Sequence, residues 1–178
     1  MSKALLIIDM QNFVAERIQQ GVDYFPPNSI ENMTAIIEKF RQSGAPVIHV
    51  RHQTPEEGSP LHHRSPSSLP LKSFEELADE PVFIKHTSSA FSSTGLFDYL
   101  QDAGISELVV IGAVAGFCVN STVRSGADLG LKITVLKDAA ISFELKQHQL
   151  SAKAILDVTL GLLDAGFAQV IPAGELKV

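Results

Sequence analysis

The feature that most constrains the fold of this chain is its set of short, almost uninterrupted apolar runs. They are Ala4–Ile8, Val47–Val50, Val82–Ile84, Leu108–Ile111, Ile133–Leu136 and Ala168–Ile171. A strand with one wet face alternates apolar and polar residues, whereas a strand covered on both faces does not need to. Between the runs lie helix-period segments near Ser29–Gln42, Thr94–Gln101, Phe117–Leu129 and Gln147–Leu163. Asn28 or Ser29 is suited to cap the first of these at its N-terminus, and Gly44 at its C-terminus. Buried strands alternating with helices predict an α/β three-layer sandwich around a six-stranded, mainly parallel sheet of Rossmann-like, doubly wound type. In such a sheet the ligand crevice lies at the C-terminal ends of the strands.

The 178 residues fit one domain, 1–178, large enough to bury its own core. The formal charge of −6 comes from 14 basic and 20 acidic residues, and no stretch gathers the basic ones into a stripe. Nucleic acid and an acidic membrane surface are therefore not expected partners. The first apolar stretch ends at Asp9 after five residues, too short for a signal core or a membrane span, and reads as a buried first strand. A single cysteine allows no intramolecular disulfide, and a cytoplasmic location is the expectation. One segment, 53–72, breaks the alternation with Pro55, Gly58, Pro60, Pro66 and Pro70. A loop of this length on the crevice side is expected to act as a lid or a subunit contact.

Three chemically distinctive residues fall at strand ends: Asp9 after the first, Lys85 after the third and Cys118 after the fourth. Cys118 stands where a strand becomes a helix, beside backbone N–H groups whose partial positive charge favours a thiolate and can hold an oxyanion. Asp9 is suited to act as a base, because desolvation raises a carboxylate's pKa. Lys85 is expected to lower the thiol's pKa and orient Asp9. Gly112 and Gly116 give the turn before Cys118 the freedom to aim backbone donors. Taken singly, each residue also has a structural reading: a buried inert cysteine, a loop-capping aspartate, a surface lysine.

The three motifs around these residues resemble the isochorismatase-like cysteine hydrolases, a family that includes nicotinamidases and N-carbamoylsarcosine amidases. They are Leu5-Leu6-Ile7-Ile8-Asp9-Met10-Gln11-Asn12, Ile84-Lys85-His86-Thr87-Ser88-Ser89-Ala90-Phe91-Ser92, and Gly112-Ala113-Val114-Ala115-Gly116-Phe117-Cys118-Val119 with Arg124 and Ala127-Asp128-Leu129-Gly130 behind it. The resemblance spans almost the whole chain. It implies an Asp9–Lys85–Cys118 triad acting on a small amide or related carbonyl through a thioester. It also implies a cis peptide at Ala113–Val114, with the N–H groups of Val114 and Cys118 as the oxyanion hole.

This chain departs from the family pattern in two places. Ala115 stands where many relatives have a threonine, and Val50-Arg51-His52 stands where nicotinamidases carry an Asp-x-His metal motif. His62 and His63 lie nearby, but with the carboxylate ligand missing no catalytic metal and no cofactor are expected. Gln11, Phe13, His52, Phe91 and Phe117 are the candidate substrate contacts, and Arg51 is a candidate partner for a substrate carboxylate. The expected function is hydrolysis of the C–N bond of a small carboxamide or ureide. Two alternatives stand beside it: vinyl-ether hydrolysis of the isochorismatase type with Asp9 as acid, and a non-catalytic binding or assembly role. The expected partners are a small-molecule substrate and further copies of the chain, in a dimer or tetramer.

Overall fold

The computed structural model describes residues 2–178. Seven strands form its sheet: β1 (Ser2–Ile8), β2 (Tyr24–Phe25), β3 (Val47–His52), β4 (Val82–Lys85), β5 (Ile105–Ala113), β6 (Lys132–Phe143) and β7 (Gln169–Ile171). Five α-helices connect them: α1 (Asn12–Gln19), α2 (Ser29–Ser43), α3 (Leu96–Asp102), α4 (Asn120–Asp128) and α5 (Ala152–Asp164). The order across the sheet is β2-β6-β5-β1-β3-β4, with β7 also paired to β6. All pairings are parallel except β2 with β6.

Strand β2, which makes the sheet seven-stranded rather than six-stranded, and helix α1 extend the architecture expected from the sequence. β2 is a two-residue strand held against Ser142 and Phe143, at the far end of a β6 that is much longer than its apolar run. Strand β6 reaches 12 residues because its first part pairs with β5 and β7 and its last part with β5 and β2.

The reason for the uninterrupted apolar runs is visible in β1. Ala4, Leu6 and Ile8 face one buried cluster with Leu96, Leu100, Val123, Leu156 and Leu160, whereas Leu5 and Ile7 face a second cluster with Val14, Met33, Ile37 and Phe40. Helices α3, α4 and α5 thus cover one face and α1 and α2 the other. Successive strand residues point to opposite faces, so a strand covered on both must be apolar at every position. Gly44 ends α2 in the left-handed conformation at φ +71, as its position predicted, while Asn28 occupies the N-cap without a side-chain cap bond.

At Gly112 the sheet depends on a missing side chain. Its φ is +127, and a Cβ there would lie 2.1 Å from the Ile8 carbonyl oxygen and 2.7 Å from the Ile8 nitrogen. Strands β5 and β1 therefore meet at full backbone approach just before Cys118. Substitution Gly112→Ala is expected to cost about 3 kcal/mol or more, since it combines strained backbone with an overpacked contact. A urea denaturation midpoint unchanged from the parent chain would contradict this.

Candidate active site

Asp9, Lys85 and Cys118 come together at the carboxyl ends of β1, β4 and β5. Asp9 follows β1 and turns the chain at φ +53, a left-handed conformation that aspartate tolerates better than most residues. Its N–H donates to Val50 O, and its carbonyl accepts from Gln11 N–H, both at 2.9 Å. Lys85 closes β4 and has no solvent exposure. The Ala113–Val114 peptide is cis, as the resemblance implied, and leads into a π-turn over Ala115–Val119 in which Val119 N–H bonds Val114 O. Such widened turns are frequent at functional sites. Cys118 sits in this turn, ahead of α4.

The Lys85 ammonium is the centre of the cluster. Its Nζ lies 2.9 Å from Asp9 Oδ2, 2.8 Å from His52 Nδ1, 3.1 Å from Cys118 Sγ and 3.2 Å from Thr87 O. An ammonium offers three protons and no acceptor, so His52 must accept at Nδ1 and carry its own proton on Nε2. Burial, then the adjacent Lys85 charge, pushes the His52 pKa down to about 4, which keeps the ring neutral. Oδ1 of Asp9 is buried and has no hydrogen-bond partner among the described residues. One oxygen of that carboxylate is therefore fixed and the other is free to take a proton.

Both acidic groups titrate higher than usual. Burial raises the Asp9 pKa above its ordinary 3.8, and Lys85 offsets only part of that rise. Burial and then the Asp9 charge push the Cys118 thiol up to about 12, against the lowering by Lys85. The expectation of a resting thiolate is thus corrected: desolvation outweighs the ammonium. Alkylation of Cys118 by iodoacetamide without substrate should keep accelerating up to about pH 11, with no plateau near the ordinary thiol value of about 8.5. A plateau between pH 8 and 9 would show a thiol with ordinary solvation.

Beside the cluster lies a cavity of ≈ 130 Å³ lined by Asp9, Gln11, Phe13, His52, Leu61, Ala113, Val114 and Cys118. Gln11, Phe13 and His52 are therefore at the site. Gln11 is fully buried, and its amide is committed to the backbone. Its Nε2 donates to the carbonyls of His52 (3.0 Å) and Ser68 (2.7 Å), and its Oε1 accepts from His52 N–H (2.9 Å). It splints β3 to the 53–72 loop and has little left to offer a ligand. Leu61 was not foreseen, because its contact with the cavity is made by a loop without periodicity.

Two of the sequence-derived contacts lie elsewhere. The Phe91 ring packs on α4 where Gly126 leaves room, 2.9 Å from the place a Cβ would take, and does not line the cavity. Phe117 is 51 % exposed and also outside it, because the π-turn points the two neighbours Phe117 and Cys118 in different directions. Arg51 is paired with Glu76 and so is not free for a substrate carboxylate.

Among the described residues, the donors placed to share a metal ion are Asp9, His52 and Cys118, all within 4.8 Å of one another. The Lys85 ammonium touches each of them, so this set does not fit a dication while Lys85 is in place. His62 and His63 contact each other as tilted rings, with centroids 4.2 Å apart, and are not part of the cluster.

Comparison with known proteins agrees with this architecture. The isochorismatase domain profile matches residues 3–169. The uncharacterized isochorismatase family protein YddQ of Bacillus subtilis is 34 % identical over 158 residues, which cover 82 % of this chain and 81 % of YddQ. Nicotinamidase 3 of Arabidopsis thaliana is 25 % identical, with 98 % of this chain and 86 % of that protein covered. Among solved structures, an isochorismatase-family protein from Chromobacterium violaceum superposes with a TM-score of 0.90 at 28 % identity, covering 97 % of this chain and 90 % of that one. The fold and these similarities thus define a hydrolytic enzyme of α/β architecture. The chain belongs to the isochorismatase family of hydrolases. No helix among the described residues is long and apolar enough to cross a membrane.

Proposed function

We propose that this hydrolase is a cysteine-dependent amidase that cleaves the C–N bond of a small carboxamide or ureide through a thioester on Cys118. The observation that carries the reading is the Lys85 ammonium held between the Asp9 carboxylate and the Cys118 sulfur, beside a small enclosed cavity. A site of this size admits only a small molecule. Similarity to a nicotinamidase supports amide chemistry, and the Lys85 ammonium in contact with Asp9, His52 and Cys118 leaves those three to act on the substrate rather than on a shared dication.

In this reading the resting pair is a thiol and a carboxylate. As Sγ attacks the substrate carbonyl carbon, its proton passes to Asp9, whose raised pKa makes it a competent base. An S–C bond forms, and the carbonyl oxygen becomes an oxyanion facing the N–H groups of Val114 and Cys118. The tetrahedral species collapses as the C–N bond breaks, and Asp9 returns its proton to the departing nitrogen, which leaves as ammonia or an amine. Water then adds to the thioester and gives up a proton to Asp9. The S–C bond breaks, the acid departs, and the thiolate recovers that proton. Lys85 keeps the carboxylate and sulfur in register and offsets negative charge throughout.

The raised Asp9 pKa also favours a second reading, in which protonated Asp9 acts as the acid in vinyl-ether hydrolysis. A screen of carboxamides, ureas and isochorismate, followed by ammonia and pyruvate release, tests both. The amidase reading expects ammonia together with an acyl adduct on Cys118 by intact-protein mass spectrometry. Pyruvate without an adduct would replace it with the second.

A further inference from the structure

Leu61 stands in the 53–72 loop with both of its backbone groups engaged. Its N–H donates to Ser59 Oγ at 3.2 Å, and its carbonyl accepts from Thr54 N–H at 3.0 Å. The next residue, His62, is buried and bridges to Thr54, and its carbonyl accepts from Ser65 N–H at 2.8 Å. Farther along, Ser68 O accepts from Gln11 Nε2, Leu69 O accepts from Asn12 N–H, and Leu71 N–H donates to Met10 O. The loop is thus tied to the residues just after Asp9, and the Leu61 side chain is held as part of the cavity wall.

The polar groups around that cavity are already committed. The three Lys85 protons face four acceptors, in Asp9, His52, Cys118 and Thr87. Gln11 Nε2 spends both of its protons on backbone carbonyls, and Arg51 is paired with Glu76. The open acceptor, Asp9 Oδ1, serves the thiol proton. Outside these groups the cavity is bounded by Phe13, Leu61, Ala113 and Val114, and the surface presented to it is apolar. A carboxylate on the acyl side of the substrate would lose its water there, meet no uncommitted cation among the residues lining the cavity, and stand near the Asp9 charge. The volume sets a second limit. At ≈ 130 Å³ it is close to the ~150 Å³ apolar cavity that accepts benzene, so carbonyl, nitrogen and acyl chain together amount to about six non-hydrogen atoms.

We propose that the acyl part of the carboxamide cleaved at Cys118 is uncharged, apolar and short, of isobutyryl size, and that Leu61 sets its upper limit. The reaction rests on the amidase reading, whereas the selectivity rests on the cavity wall alone. Such an acyl group is held by dispersion and by the surface it removes from water, and Leu61 is the wall residue supplied by the loop rather than by the strand ends or α1.

Aldehydes probe the acyl site apart from amide turnover. Sγ adds to the aldehyde carbon, an S–C bond forms, the thiol proton ends on the carbonyl oxygen, and nothing leaves. Isobutanal and glyoxylate share one shape, with an isopropyl group in the first where the second has a carboxylate. Each is titrated as a protectant of Cys118 against iodoacetamide and referred to its own adduct with mercaptoethanol, which removes differences in intrinsic reactivity. Isobutanal should protect at least about tenfold better than glyoxylate. Cyclohexanecarbaldehyde, too bulky for the parent cavity, should protect poorly. Leu61→Ala should improve protection by this ring aldehyde on the order of tenfold relative to isobutanal, as added pocket space of a methylene or more commonly does. Leu61→Phe should act in the opposite direction and shut out isobutanal, a reversal that mere loosening of the loop would not produce. Equal protection by isobutanal and glyoxylate overturns the proposal. So does a ring aldehyde that protects the parent chain as well as isobutanal, or an unchanged size preference in either Leu61 variant. Failure of the amidase reading would appear separately, as isobutyramide that releases no ammonia while the selectivity among aldehydes persists.

Discussion

Replacing Cys118 by alanine should lower amide turnover by at least about 10³-fold, because a nucleophile acting within a coupled group cannot be removed in part. The fold should be unchanged, since Cys118 is only partly buried and adjoins a cavity. Asp9→Asn should have an effect of similar size on the same substrate, for the amide cannot take the thiol proton. The pair of variants also discriminates between chemistries. In vinyl-ether hydrolysis the sulfur is dispensable and only Asp9→Asn should abolish pyruvate release. Turnover of the identified amide substrate at near the parental rate by the alanine variant would end the thioester mechanism.

The activity of the parent chain should fall on the acid side as Asp9 takes up a proton, at a pH above its ordinary 3.8. No matching loss is expected from Cys118 below about pH 12, where burial and Asp9 have pushed its ionisation.

Lys85→Met should destabilise the fold by about 3–5 kcal/mol at neutral pH, the usual cost of leaving one partner of a buried ion pair behind. Lys85 has no solvent exposure, and its removal strands the Asp9 carboxylate and leaves His52 Nδ1 without a donor. The pH dependence carries the sign of the effect. Burial raises the folded-state pKa of Asp9 above the unfolded value. Between the two values the folded chain holds more protons than the unfolded one, so this group's contribution to stability declines as pH rises. Without Lys85 the folded value must climb further and the decline extend to higher pH. The stability deficit of the variant should therefore shrink when it is unfolded by urea at pH 5 rather than pH 8. A deficit that is constant across this range would mean that Asp9 is not the group stranded.

The cores and the site differed in how plainly the sequence displayed them. Uninterrupted runs such as Leu5–Ile8 identified strands covered on both sides, because no other environment suits apolar residues at consecutive strand positions. Helix α1 escaped notice because it has eight residues and buries only Val14, so it lacks the repeated apolar face that marks a longer helix. Strand β2 is two residues long and exists through its pairing with Ser142 and Phe143, a partnership no local pattern encodes.

At the site, strand ends and motif spacing brought Asp9, Lys85 and Cys118 to one place. The state of the thiol was not legible in the same way. Proximity to an ammonium suggested a thiolate, but the balance turns on how much water is excluded and on where Asp9 comes to rest. Phe91 and Phe117 show the same limit, since both adjoin the motifs in sequence while the packing of α4 and the π-turn direct them elsewhere.

The enclosed ammonium has one further consequence, for ionic strength. Dissolved salt weakens the interaction of charges that water can reach and hardly touches those sealed from it. Lys85 holds Asp9 as a counterion within the fold and has no solvent exposure, so dissolved chloride does not compete for the ammonium. The chemical step should therefore proceed almost equally in dilute buffer and in concentrated salt.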